Sequence, residues 1–308
     1  IQGTGKFIFN GIIEQSIDVY KEAIFYDLEI NGGGVSIENN SLVASNILSM
    51  IDGDIQTNTN KITLGTSTAN PGTFNHTSGG IDGYFERFIT LSSTTYTFPL
   101  GIGSYYHPAD ISFNSITTQG SIIGHFSQEF PDDNGLSLVD GSETVYNTFY
   151  DGYWEFTAAN SFVSSDFDLD LDGNGFNGFT ITSETRILTR SDAASVWLAD
   201  GTHVSADVGN EVAKRTNVST ISGHYCFGDN TNCIRPILPV IISTDVDVCT
   251  GTTGNYSVTD NSPSTYNWSI DPSSSGTITA TDHTASIVWG TIGAEVALTC
   301  YEENTCTR

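Results

Sequence analysis

Apolar and polar residues alternate along this chain in short runs, and clusters of Gly, Asn, Asp, Ser and Thr separate the runs. Alternation with a period of two sends successive side chains to opposite faces of an extended strand, so the pattern predicts strands nearly throughout. Between residues 1 and 80 the runs are brief, as in Phe7-Ile-Phe-Asn, Val35-Ser-Ile-Glu and Lys61-Ile-Thr-Leu. Turn clusters punctuate them at Asn31-Gly-Gly-Gly, Glu38-Asn-Asn and Asp52-Gly-Asp. Their similar spacing points to a few stacked, solenoid-like rungs, although no strict repeat is visible. One stretch, Ser16 to Leu28, begins with a cap residue and several helix formers, but its continuation Ile-Phe-Tyr-Asp-Leu-Glu-Ile alternates and reads as a strand.

Residues 81–233 carry longer and more aromatic strands, among them Tyr84-Phe-Glu-Arg-Phe-Ile-Thr-Leu and Ser121-Ile-Ile-Gly-His-Phe. The Asp151-Gly152 dipeptide is a hairpin-type turn leading into Tyr153-Trp-Glu-Phe. This region is expected to form a central β-sandwich. Pro236 and Pro239 stiffen residues 234–239 and remove ladder donors, which marks a semi-rigid linker. Residues 240–308 are the size of one further small sandwich. There Cys249, Trp268 and Cys300 follow the order of the Cys…Trp…Cys core of immunoglobulin-like domains. The fold class expected is therefore all-β, with tandem β-sandwich domains behind a short-stranded, solenoid-like region.

All five cysteines lie at 226, 233, 249, 300 and 306, and none forms a C-x-x-C pair or a zinc spacing. Cys226 and Cys233 bracket a short loop and read as a local disulfide, while Cys249 has Cys300 or Cys306 as partner. Disulfides place the chain in an oxidising, extracytoplasmic setting. Reduced, buried thiols are the competing reading.

Charge narrows the function classes. The 308 residues hold 36 acidic and 10 basic side chains, a formal charge of −26. Nothing in that balance can neutralise phosphates, which excludes a general nucleic-acid binder and disfavours docking on anionic lipid. The 17 Phe, 13 Tyr and 4 Trp are too many for a disordered acidic tail. No apolar run is long enough to cross a bilayer as a helix, so no membrane span is expected. The chain opens on Ile1 and contains Met50 alone, which reads as a processed form or an internal segment.

The tail, with Tyr256-Ser-Val, Tyr266-Asn-Trp-Ser-Ile, Gly276-Thr-Ile and Ser286-Ile-Val-Trp-Gly, resembles the PKD-like, immunoglobulin-type modules repeated in Bacteroidota surface proteins. Three earlier stretches are similar to sequences upstream of such modules in cargo of the type IX secretion system. They are Gly3-Thr-Gly-Lys-Phe-Ile-Phe-Asn-Gly, Gly53-Asp-Ile-Gln-Thr-Asn-Thr-Asn-Lys-Ile-Thr-Leu-Gly and Phe98-Pro-Leu-Gly-Ile-Gly-Ser-Tyr-Tyr-His-Pro. The resemblance implies secretion and surface display, often in gliding or adhesion, and it carries no catalytic residues. No terminal sorting domain follows the tail, a departure from that pattern.

Candidate chemistry is sparse. Asp168, Asp170, Asp172 and Asn174 alternate before a Gly turn and offer oxygens to one hard cation, which makes calcium the candidate cofactor. Position 12 of an EF-hand would be Phe179, so the motif is no EF-hand. The competing reading is a half-buried strand with Phe167, Leu169 and Leu171 inward. Tyr150, Tyr153 and Trp154 form a candidate glycan platform, against ordinary core packing. His107 with Asp110, and Asp200, His203 and Asp207, are weak metal or proton-transfer groupings. Glu155 is the first suspect for a glycosidase carboxylate. Nucleophile elbows, His-Glu-x-x-His and complete P-loops are missing.

These readings converge on a non-catalytic, extracellular structural or adhesive protein. It is displayed on the cell surface or self-assembles into a filament through β-strand contacts, with residues 1–9 as a donor strand. Its expected partners are copies of itself, neighbouring modules of a larger surface protein, or glycans. The alternative is a secreted polysaccharide-active enzyme or its carbohydrate-binding accessory module.

Overall fold

A computed structural model describes residues 3–103, 105–176, 180–230, 241–243, 249–260, 264–291 and 296–303. Strands account for 59% of the chain and there is no α-helix among the described residues, so the all-β reading holds. The chain divides into two compact units, Ile1–Thr231 and Asn232–Arg308.

The first unit begins as a stack of parallel strands. Its first rung holds β1 (Lys6–Phe9) and β2 (Gln15–Ile17), and the next holds β3 (Ala23–Asn31) and β4 (Val35–Ile37). Then come β5 (Leu42–Asp52), β6 (Ile55–Leu64), β7 (Thr73–His76) and β8 (Ile81–Ile89). Each rung lies parallel on the one before: Lys6 pairs with Asp27 and Asp27 with Ile47, steps of 21 and 20 residues. On the adjoining wall Val35 pairs with Ile55 and Ile55 with Ile81, steps of 20 and 26, the longer step absorbing the loop ahead of β7. Parallel rungs at this spacing are the solenoid-like arrangement that the turn spacing predicted.

Two devices hold the stack. Inside, Val35, Ile55 and Ile81 form one buried column, and Leu28 and Leu48 pair in another. Outside, short polar side chains bond from rung to rung: Asn39 Nδ2 to Asp18 at 2.6 Å, Asn46 Nδ2 to Asp27 at 2.7 Å and Asn58 Nδ2 to the Ile37 carbonyl at 3.0 Å. The abundance of Asn and Ser in this region thus has a structural use, satisfying polar groups between adjacent rungs. At one corner Gly11, Gly32, Gly53 and Gly79 stack so closely that a Cβ on Gly53 would overlap the Gly32 carbonyl oxygen. Gly53 also has φ +87°, a region that favours glycine.

Ser16–Leu28 is not helical. Ile17, Phe25 and Leu28 are all buried in the solenoid core from two strands, and that burial outweighs the helix formers around them.

Beyond β8 the pairing turns mostly antiparallel. The chain continues through β9 (Thr95–Phe98), β10 (Leu100–Ile102), β11 (Tyr105–Tyr106), β12 (Ala109–Ser115) and β13 (Gly120–Ser127). It goes on through β14 (Leu138–Asp140), β15 (Glu143–Val145), β16 (Asn147–Thr148), β17 (Tyr153–Ala159) and β18 (Asp166–Asp172). The last strands of the unit are β19 (Arg186–Arg190), β20 (Thr202–Asp207), β21 (Val212–Val218) and β22 (Gly223–Asp229). β8 is parallel to β6 on one side and antiparallel to β13 on the other, so a single large sheet runs from the stack into an antiparallel region of β13, β17, β22 and β16. A second sheet, ordered β20-β21-β18-β12-β9, buries Phe113, Phe167, Leu169 and Leu171 in the same core as Trp154 and Phe156. The boundary expected between residues 80 and 81 is therefore not a break: Ile81 stacks on Ile55, and one hydrophobic core passes through it. The two units divide between Thr231 and Asn232, and the expected linker residues 234–239 lie outside the described residues.

The second unit contains β23 (Ile242–Ser243), β24 (Thr253–Ser257), β25 (Thr265–Asp271), β26 (Gly276–Thr281), β27 (Thr284–Trp289) and β28 (Ala297–Glu303). β23-β24-β27-β26 form one sheet and β25-β28 another, with Tyr256, Ile270, Ile287 and Trp289 buried together. Cys249 and Cys300 do not bridge. Cys249 is exposed beside Thr252, whereas Cys300 is buried against Val258 and Tyr266. Trp268 is half-buried, its indole N–H donating to the Asp282 carbonyl, and the buried tryptophan here is Trp289. Cys226 is buried on β22 among Val145, Tyr153, Leu188 and Trp197. Its expected partner Cys233, like Cys306, lies outside the described residues.

Candidate functional site

A groove of about 370 Å³ opens at the corner where the last rung of the stack meets β10 and β11. The same glycine-rich corner builds it. Gly79 and Gly80 precede β8 and Gly101 lies in β10; a Cβ on Gly79 would overlap the Gly53 carbonyl and one on Gly101 the Tyr105 carbonyl, so these lining segments lie backbone against backbone. Asp54 reaches across from the rung below and accepts the Gly80 N–H at 2.7 Å. Asp82 accepts the Gly103 N–H at 3.3 Å, which fixes its carboxylate on the opposite lip. His76 Nε2 bonds the Gly79 carbonyl at 2.8 Å, and its ring stacks on Tyr106 at 5.6 Å and 11°.

Tyr105 and Tyr106 close the groove. Tyr105 is 41% exposed and lies parallel to His107, 6.3 Å away at 5°. Burial, then the nearby Asp110 and Asp172 carboxylates, push the Tyr106 phenol up to about 12, so it stays protonated at neutral pH. Chemically, the groove offers aromatic rings and carboxylate acceptors. No Lys or Arg lies among its described lining residues.

The Asp-rich motif adopts a different geometry from a wrapped calcium loop. Asp166–Asp172 is the extended strand β18, with Phe167, Leu169 and Leu171 buried and the aspartates facing outward. In a strand, side chains on one face stand about 7 Å apart, whereas calcium ligands must meet within about 2.6 Å of one centre. The carboxylates have protein partners instead: Asp168 accepts from Asn114 and from the Asn217 N–H, both at 3.1 Å, and Asp170 pairs with Lys214 at 3.3 Å. Asp172 accepts the Asn174 N–H at 2.7 Å, an Asx turn. Burial pushes the Asp170 and Asp172 carboxyls up, Asp110 adding to both. Among the described residues, the one set of acid and histidine ligand atoms close enough for a metal is Asp260, Asp282 and His283 in the second unit, a set that sequence spacing did not suggest.

The expected glycan platform is also corrected. Trp154 is 0% exposed with its indole donating to the His107 carbonyl at 2.9 Å, and Tyr153 is 8% exposed, stacked on His224. Tyr150 is half-buried. Alternation along β17 turns Trp154 and Phe156 inward, and the sheet's other face is covered near Tyr153 by Leu188 and Trp197.

The remaining groupings separate. His107 is a core residue packed against Phe126, Phe176 and Trp154, while Asp110 lies half-exposed and bonds Thr97. Asp200 caps Ser219 and Thr220, His203 faces Arg186 and Ser183, and Asp207 bonds Asn210. Glu155 has His125 and His224 as its cross-strand neighbours, and the His125 imidazole, 3.9 Å away, leads the effects that hold its carboxyl below the usual range. A glycosidase acid needs the opposite shift.

Sequence spacing singles out His107 and Asp110, next to Tyr105 and Tyr106, but does not pick out Asp54, His76 or Asp82. The signal that could have found them is the recurring Asp-Gly or Gly-Gly corner, whose glycines mark where rungs approach and where a groove has a floor. Among the described residues, no helix is long and apolar enough to cross a membrane. No family model matches the chain, and no curated protein or solved structure matches it either.

Proposed function

We propose that this chain is a non-catalytic, extracellular structural or adhesive protein, displayed on a surface or assembling through β-strand contacts. The observation that carries the reading is the in-register stack of β1 to β8, in which each rung is hydrogen-bonded and packed on the next. Such a stack resists deformation along its length, because bending it requires rungs to separate and many cooperative contacts to open together. The polar ladders on its outside suit an aqueous exterior. The −26 charge keeps separate copies apart unless apolar contact or divalent cations offset the repulsion.

Residues 6–9, expected to act as a donor strand, already pair with Asp27–Ile30 through one edge. The outer edge of β1 is where strand addition by another copy would occur. Ile12, Ile13 and Tyr20 on the same first rung are exposed, at 96%, 75% and 100%. In this reading the second unit serves as a PKD-like module, as its resemblance to Bacteroidota surface proteins implies, and calcium is a screening ion between acidic surfaces.

The test is adhesion against turnover. Beads coated with the full chain are expected to cluster or to adhere to a polysaccharide film, while a reducing-end assay over the same polysaccharides stays at background. Release of sugar, or beads that disperse and do not adhere, overturns the reading.

A further inference from the structure

We propose that the corner groove between Asp54, Asp82, Tyr105 and Tyr106 binds a neutral hexopyranose unit of a polysaccharide. This rests on the adhesive reading above and names its ligand.

Size sets the first limit. A groove of about 370 Å³ lies at the small end of ligand sites, which run from about 300 to 1,000 Å³. One sugar ring, with its neighbours running out along the surface, fits that space better than a peptide or a cofactor.

Shape and polarity set the second. A pyranose has a C–H face and an equatorial belt of hydroxyls. The C–H face packs on an aromatic ring, because its hydrogens carry slight positive charge and the ring face is negative. Tyr105 supplies such a face, being 41% exposed and backed by His107, and Gly175 leaves room for the edge of its ring. Tyr106 is 36% exposed and fixed by its stack on His76.

The hydroxyl belt needs acceptors held in place. Asp54 and Asp82 each give one oxygen to a backbone N–H, and each retains acceptor positions on the carboxylate. Those backbone bonds hold the carboxylates still before any ligand arrives, which lowers the ordering cost of binding.

Charge sets the third. With two carboxylates and no Lys or Arg among the described lining residues, the groove repels uronates, sulfated sugars and phosphates. The ligand class is therefore a neutral glycan.

Isothermal titration of the full chain with cellohexaose, laminarihexaose and mannohexaose tests this, with hexagalacturonate as the anionic control. At least one neutral hexaose is expected to bind with a dissociation constant of about 1 mM or tighter. Tyr105→Ala and the isosteric Asp82→Asn should each weaken binding by about tenfold or more, with superimposable melting curves. Binding by neither variant nor wild type, undiminished binding by both variants, or preference for hexagalacturonate overturns the proposal. Bead adhesion that persists without oligosaccharide binding overturns the groove and leaves the adhesive reading standing. Oligosaccharide binding without bead adhesion upholds the groove and overturns the adhesive reading.

Discussion

Glu86 takes the Lys61 ammonium at 2.5 Å across the β6–β8 contact, at the point where parallel stacking gives way to antiparallel pairing. The carboxylate is 3% exposed, and Ser121 Oγ at 2.6 Å, Asn160 Nδ2 at 3.0 Å and Thr63 Oγ1 at 3.3 Å donate to its remaining positions. Donors from the last rung and from the antiparallel strand thus meet on one side chain. Glu86→Ala should destabilise the chain by about 3–5 kcal/mol, because it strands a buried set of donors. Lys61→Met should lose less, about 1–3 kcal/mol, since the neutral donors remain. Urea denaturation at pH 7 measures both, and equal losses would contradict the account.

The glycine corner makes a second test. Gly53→Ala places a methyl against the Gly32 carbonyl at φ +87°, and should destabilise by about 2 kcal/mol or more. Gly103→Ala, at φ +56° with open space around it, should cost about 1 kcal/mol or less. If the two variants melt alike, the close approach of rungs is not what selects glycine at residue 53.

Stability should fall in mild acid. Burial among aromatic rings pulls the His107 imidazole down to about 4, from an ordinary value near 6.5. The unfolded chain then binds a proton that the folded chain refuses, so the contribution is complete above pH 6.5 and is lost as pH falls towards 4. The full effect is on the order of 3 kcal/mol. His203 and His224 are lowered in the same sense, burial first and then the facing Arg186 and Arg190. The raised Asp170 and Asp172 act with opposite sign at the acid end of that window. His107→Phe should flatten the slope of unfolding free energy between pH 6.5 and 4. An unchanged slope would place the effect elsewhere.

Metal removal has a definite expected result. Because Asp168 and Asp170 already hold protein donors along an extended strand, EDTA should leave the melting temperature within about 1 °C, and calcium at about 1 mM should not raise it. A rise of several degrees that disappears in Asp170→Asn would show that the strand face gathers a cation after all.

Thiol labelling separates the cysteines. Cys249 is exposed and should alkylate in the folded chain without reductant, which would also exclude its bridge to Cys306. Cys300 should react slowly, since burial, then Glu302, pushes its thiol up. Equal rates would mean that the core around Val258 and Tyr266 opens easily.

What the sequence by itself determined is the all-β class and the stacked character of the first 80 residues, while the inward Phe167, Leu169 and Leu171 were one of two readings it left open. These follow from alternation and turn chemistry, which act between residues close along the chain. Only the tertiary structure decided which strands lie parallel, that the core runs unbroken through Ile81, and that Tyr153 and Trp154 are covered. Alternation names the residues that share a face but not what packs over it. Ser16–Leu28 was drawn out of a local helix by the core it joins, and Asp54, His76, Asp82 and Tyr105 became neighbours because rungs stack. That adjacency depends on contacts between distant residues, which no local pattern contains.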